Sequence, residues 1–199
     1  HDTAGLNTIQ VNKLGIARTF QNIRLWKSMT VFENVLVAKH MRAKQNVFSA
    51  IFRANAKEEA RMREETMELL KEQGLEQYKD EIATSLPYGL QRRLEIARAL
   101  ATDPKLLLLD EHTAALDPKT AAKVLEISNK IVQENHLTTL MITHNMRDAI
   151  RYGNRLIMMN EGHVIYDVRG EEKTKLEVSD LLQRFEQAGG EANDRMILS

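Results

Sequence analysis

Cysteine is absent from the 199 residues. That excludes disulfide frameworks, cysteine-bound zinc and thiol catalysis. An excess of charge is missing too: Lys+Arg and Asp+Glu each number 28, and the formal net charge is zero. Neither nucleic-acid binding through bulk positive charge nor a polybasic membrane surface fits that balance. Long apolar runs are also lacking. The longest strongly apolar run, Leu106–Leu109, is far short of the roughly 20 residues that span a bilayer. No secretory signal is read at the start of the chain. What is present is ordinary for a globular protein: 43% hydrophobic and 28% charged residues, enough for one domain or a domain with a small subdomain. The composition predicts a soluble protein compatible with a reducing compartment.

Periodicity divides the chain. Thr30 and Glu33 read as a capping box opening a helix over 31–43, with Val31, Val35 and Ala38 on one face. A long charged helix is predicted over 56–73, with Met62, Leu69 and Leu70 apolar and Gly74 as its stop. Helix follows over 90–101, then a short apolar strand over 105–110 that ends in a carboxylate. A helix over 119–134 begins at Asp117-Pro118. A strand over 138–143, a short helix over 145–151 and a terminal helix over 177–188 complete the pattern. Between the last two, strands 155–160 and 163–168 flank Glu161-Gly162, a hairpin signal. Helices alternating with strands after residue 100 indicate an α/β sheet, and the all-helical stretch 30–85 reads as a separate subdomain.

Two adjacent carboxylates, Asp110 and Glu111, sit at the C-terminal end of the apolar strand, where open α/β sheets place ligands. One carboxylate there can hold Mg²⁺ through water, and the next can act as general base on an attacking water. Such a strand end is by itself a weak signal, since strand ends are often acidic. Its company makes it stronger. Thr19-Phe20-Gln21-Asn22 lies upstream, Ser85-Leu86-Pro87-Tyr88-Gly89-Leu90-Gln91-Arg92-Arg93 leads into the helix before the strand, and Leu116-Asp117 and Thr143-His144 follow it.

In order and spacing this set resembles the nucleotide-binding domain of ATP-binding cassette (ABC) transporters over residues 10–168. The resemblance implies a P-loop NTPase-like α/β fold, a mostly parallel sheet with an inserted all-helical subdomain. It divides the chain into 1–29, part of the ATPase core with the Q-loop; 30–101, the helical subdomain and signature helix; 102–168, the RecA-like core; and 169–199, a C-terminal helical tail. It makes Gln21 the Q-loop glutamine, contacting Mg²⁺ and the attacking water. It makes Leu86, Pro87, Tyr88, Gly89 and Leu90 the signature that closes over ATP held by a second subunit. Asp110 becomes the Walker B aspartate holding Mg²⁺, Glu111 the catalytic glutamate and His144 the switch histidine. Asp117 becomes the D-loop residue coupling two sites across a dimer; it also fits a helix N-cap, and both can hold.

Residues up to about 110 are similar to ATPases of branched-chain amino acid importers. Those after about 111 are similar to a group serving aromatic amino acids or undefined substrates. The implied function is the ATP-binding and ATP-hydrolysing subunit of an importer, with ATP and Mg²⁺ as its cofactors. Its implied partners are a second ATP-binding subunit, membrane permease subunits and, indirectly, a solute-binding protein, with no nucleic acid. Its implied place is the cytoplasmic face of the cell membrane. Trp26, Phe32, Phe48 and Phe52 are candidates for the groove that takes a permease helix, or for core packing. A non-transport ABC ATPase and a non-catalytic interaction fragment are the competing readings.

Two departures stand out. Pro87 replaces the usual Ser or Ala, which removes a hydroxyl and an N–H, and Leu90 stands where a polar residue is usual. No Gly-x-x-x-x-Gly-Lys-Ser/Thr phosphate loop occurs, nor any Gly-Lys pair. The 199 residues are therefore expected to be short of the Walker A region and inactive alone, with strand 105–110 left at an open sheet edge.

Overall fold

The computed structural model describes residues 2–40 and 56–189. Phe48, Phe52 and the predicted helical residues 41–43 lie outside them. The chain divides into two compact units, 1–141 and 142–199.

In the first unit the capping box forms as read. Glu33 N–H donates to Thr30 Oγ1 at 3.1 Å, and Thr30 N–H donates to Glu33 Oε2 at 2.8 Å. It starts helix α2 (Val31–His40), which follows a short helix α1 (Thr8–Lys13). Buried Asn34 fixes the loop before α2: it accepts from Trp26 N–H and donates to the carbonyls of Trp26, Met29 and Thr30. Helix α3 (Ala56–Glu72) buries only Met62, Thr66 and Leu70 and presents its charges outward. Its i,i+4 ion pairs, Arg61–Glu65 and Arg63–Glu59, are solvent-exposed and contribute a few tenths of a kcal/mol each.

Helix α4 (Tyr88–Ala101) packs on two sides. Leu94, Ala97 and Ala101, spaced as one face, join Val31, Val35, Leu70 and Leu75 in a helical core. Ile96 and Ala99 join Ala17, Leu107, Leu109 and Val124 in a core under the sheet. That double burial explains an apolar pattern running most of the way round the helix.

The sheet has strand order β1-β2-β3, formed by β1 (Ile16–Arg18), β2 (Leu106–Asp110) and β3 (Thr138–Ile142), with helix α5 (Pro118–Glu134) connecting β2 to β3. β1 and β2 are parallel, with Ile16 opposite Leu106 and Arg18 opposite Leu108. Sequence reading left β2 at an open edge, and the structure corrects this. β1, which starts immediately after Gly15, flanks it on one side and β3 on the other. β3 is the outer strand, and Leu140 and Ile142 there are 49% and 45% exposed.

In the second unit, helix α6 (Met146–Arg151) is capped by Asn145, whose side chain accepts from Asp148 N–H at 3.1 Å. Strands β4 (Arg155–Asn160) and β5 (His163–Arg169) pair antiparallel. The two-residue turn has φ of 48° at Glu161 and 80° at Gly162, the double positive φ of a type I′ turn. After a short helix α7 (Glu171–Thr174), helix α8 (Val178–Gln187) contributes Leu181 to a small core with Met146, Leu156 and Val168.

The first turn of α4 lies against the start of α5. A methyl group built on Gly89 would stand 2.3 Å from the Thr120 methyl carbon. Gly→Ala inside a helix ordinarily stabilises by about 0.5–1 kcal/mol. Here Gly89→Ala is expected to destabilise by about 1–2 kcal/mol through overpacking. Thr120→Ser, which removes that methyl, is expected to restore most of the loss. Urea melts of the two single variants and the double variant check this, and a stabilised Gly89→Ala protein would contradict the contact.

Candidate functional site

The parallel register of β1 and β2 brings the segment after β1 alongside the end of β2. Thr19, fully buried, extends the ladder: its N–H donates to the Leu108 carbonyl at 2.9 Å, and its Oγ1 accepts from Asp110 N–H at 3.3 Å. The two acidic side chains then each meet a partner from 18–21. Arg18 Nη2 lies 2.5 Å from Asp110 Oδ2, and Gln21 Nε2 donates to Glu111 Oε2 at 2.9 Å. Glu111 has φ +44°, a left-handed conformation uncommon for a residue with a side chain. Backbone strain of this kind concentrates at functional sites.

A buried ion pair on α4 holds the segment that carries Gln21. Arg92 is fully buried, and its Nη1 donates to Glu95 Oε2 at 2.6 Å and to the Phe20 carbonyl at 2.5 Å. Its Nη2 donates to the Gln21 carbonyl at 2.6 Å and to the Tyr88 hydroxyl at 3.3 Å. Glu95 in turn accepts from the N–H groups of Phe20 and Arg24 through Oε1, each at 3.4 Å. Burial pushes the Glu95 carboxyl above its ordinary value, while Arg92 and these donors oppose the shift. Arg98, one helical turn further along, donates to the Arg24 carbonyl and lies 4.0 Å over the Trp26 ring. Trp26 is 38% exposed, and Phe32 packs half-buried on the helical core.

The predicted signature residues lie at the start of α4. Pro87 is the N-cap and offers no side-chain capping bond. Its carbonyl accepts from the N–H groups of Leu90 and Gln91. Leu86 is buried, Leu90 packs partly buried on the helical core, and Tyr88 is 41% exposed. Gly89 faces Thr120 and Leu116 at the head of α5. Asp117 is the N-cap of α5, accepting from Thr120 N–H at 3.0 Å, and bonds from the Thr120 hydroxyl and N–H hold its carboxyl below its usual value. Gln21, Asp110 and Glu111 therefore converge at the ends of β1 and β2. Gly89 and Asp117 converge on the first turn of α5. His144 is exposed in the second unit, just before the Asn145 cap of α6.

Sequence reading assigned no role in the site to Arg18, Arg92, Glu95 or His112. The signal for the Arg92–Glu95 pair was an Arg-x-x-Glu spacing set among Leu94, Ile96 and Ala97. His112 is 1% exposed, and neither ring nitrogen meets a hydrogen-bonding partner. Burial, reinforced by the charge of Arg92, lowers its pKa to about 4.

Residues 2–114 match the ABC transporter family, and the chain belongs to it. It is 40% identical over 175 residues to a tyrosine transport ATP-binding protein of Clostridioides difficile, covering 87% of this chain and 67% of that protein. It is 38% identical over 162 residues to LivG of Escherichia coli, a high-affinity branched-chain amino acid transport ATP-binding protein, covering 79% of this chain and 63% of the relative. The chain thus spans about two thirds of the length of these relatives. Among solved structures, the ADP conformation of MJ1267, an ATP-binding cassette of an ABC transporter, superposes with a TM-score of 0.75 at 29% identity, over 96% of this chain and 74% of that one. A dimeric post-hydrolysis state of the cassette MJ0796, bound to ADP and Pi, gives 0.67 at 29% identity, over 84% and 69%.

His112 provides a pH test of this packing. Its folded pKa lies below the unfolded value near 6.5, so the neutral form is the one the fold accepts. Stability is full above pH 6.5 and falls as pH drops toward 4, where the unfolded chain takes up the proton first. The loss at pH 5 relative to pH 7.5 is expected to be about 2 kcal/mol larger in the wild type than in His112→Gln. Urea melts at both pH values measure it, and an equal fall in both proteins would contradict the buried neutral imidazole.

Proposed function

We propose that this chain belongs to the ATP-binding subunit of an ABC importer for amino acids, in which hydrolysis of ATP drives transport. The observation that carries the reading is the meeting of Gln21 with Glu111 beside Asp110 at the ends of two parallel strands. Similarity to tyrosine and branched-chain amino acid transport proteins supports an amino acid as the solute.

The donor set suits Mg²⁺. Asp110 and Gln21 offer hard oxygens, while the described residues hold no group of three or more His, Cys, Asp or Glu that could bind an ion unaided. A metal held by one or two protein oxygens completes its shell with water and nucleotide phosphate. Bound Mg²⁺ would supply charge neutralisation on the phosphates.

Within that frame the chain's own groups divide the work. Asp110 holds the metal side of the site. Glu111 takes the proton of the attacking water, and Gln21, already bonded to it, orients that water. His144 contacts the γ-phosphate. Leu86, Pro87, Tyr88, Gly89 and Leu90 present the start of α4 to ATP held by a second subunit, where backbone N–H groups favour an anion. Asp117 couples the two sites. In this reading the subdomain over 30–85 docks a permease subunit, and 102–168 carry the chemistry. No helix among the described residues is long and apolar enough to cross a membrane. The subunit works at the cytoplasmic face of the membrane through its permease partners, with the solute-binding protein acting on it indirectly.

In the assembled transporter, Glu111→Gln is expected to lower ATP hydrolysis by roughly 10²–10⁴-fold while ATP still binds. Hydrolysis at an undiminished rate would contradict the assignment. The 199 residues contain no Gly-Lys pair to form a phosphate loop, so by themselves they are expected not to bind Mg-ATP at micromolar concentration. Calorimetric titration checks this, and micromolar binding would contradict it.

A further inference from the structure

Asp110 is paired with a cation that this chain itself supplies. Arg18 Nη2 lies 2.5 Å from Asp110 Oδ2, and the Asp110 side chain is only 19% exposed. The Arg18 side chain is 51% exposed, and the strand register is what sets it beside Asp110. Arg18 is the last residue of β1, and the register that sets it opposite Leu108 places it two residues short of Asp110 on the neighbouring strand. Its guanidinium also lies 5.1 Å from the centre of the Phe20 ring, whose other neighbour is Arg24 at 4.5 Å. Phe20 is in turn held through its backbone by Arg92 and Glu95.

We infer that Arg18 is a resident counter-cation that keeps free divalent metal off Asp110 until a phosphate ligand draws the guanidinium away. The inference rests on the reading of Asp110 as the carboxylate that holds the metal. A divalent ion held by Asp110 through a bound water stands within a few ångströms of a guanidinium paired with the same carboxylate. Like charges at such separations repel strongly. Phosphate offers the fork-shaped guanidinium an anion of equal geometry, so a metal–phosphate complex can displace Arg18 where the bare ion cannot. Asp110 would then load metal together with nucleotide rather than before it.

The test needs no turnover. Mn²⁺ is titrated into the 199-residue chain without nucleotide, and bound ion is followed by water-proton relaxation, with circular dichroism confirming the fold of each variant. Arg18→Gln and the longer apolar Arg18→Met are both expected to bind Mn²⁺ about tenfold more tightly than the wild type. Arg18→Lys, which keeps the charge, is expected to match the wild type. Asp110→Asn in the Arg18→Gln background is expected to abolish the gain. If Asp110→Asn weakens Mn²⁺ binding by the wild type, but neither neutral variant binds more tightly, the counter-cation role of Arg18 is overturned and Asp110 stands as a metal ligand. If no protein of the set binds Mn²⁺ through Asp110, both the gate and the metal assignment fall.

Discussion

The buried pair Arg92–Glu95 is the point on which the candidate site depends. Arg92 has no exposed surface, and every bond it makes with the segment after β1 is to a backbone carbonyl, of Phe20 or Gln21. Glu95 answers with the two N–H groups of Phe20 and Arg24. A loop that would otherwise be free to move is thereby tied at donors and acceptors alike to a helix wedged between two cores. Removing either charge would leave the other buried and uncompensated, at a cost of about 3–5 kcal/mol. The pair is therefore better understood as a device that fixes one arrangement than as a source of net stability.

From that anchor the rest of the first unit follows. α4 is held by Leu94, Ala97 and Ala101 on one side and by Ile96 and Ala99 on the other, so it cannot rotate without breaking one core or the other. The segment it clamps presents Arg18 to Asp110 and Gln21 to Glu111. The start of the same helix lies against Thr120 through Gly89, at the turn that Asp117 caps. Arg92 donates both to the Gln21 carbonyl and to the Tyr88 hydroxyl, which ties the Gln21 segment to the first turn of α4.

Much of this was legible in the residues. The capping box at Thr30, the hairpin at Glu161-Gly162, the proline-led start of α5 and the strand ending at Asp110 each carry a local signal, because each depends on neighbours within a few positions. β1 was not legible. Three residues, Ile-Ala-Arg, show no period of their own, and they form a strand only because β2 offers a ladder. The expected open edge at β2 came from the missing phosphate loop, and β1 and β3 flank that strand instead. Nothing local in the sequence marks Arg92 and Glu95 as buried, since their cover comes from residues 20–24. Asp117 is the opposite case, for its capping role was plain from Asp-Pro alone. The family resemblance supplied the roles of Gln21, Glu111 and His144, which spacing could mark but not assign.

The clamp itself is open to direct measurement by amide hydrogen exchange, comparing the wild type with Arg92→Met. This variant keeps an unbranched apolar stem and removes the charge and donors. If the buried pair holds the loop, the amides of Phe20 and Arg24 lose protection selectively, while those of the β4–β5 hairpin exchange as before. Unchanged protection at Phe20 and Arg24, or a uniform rise in exchange through both units, would contradict the account.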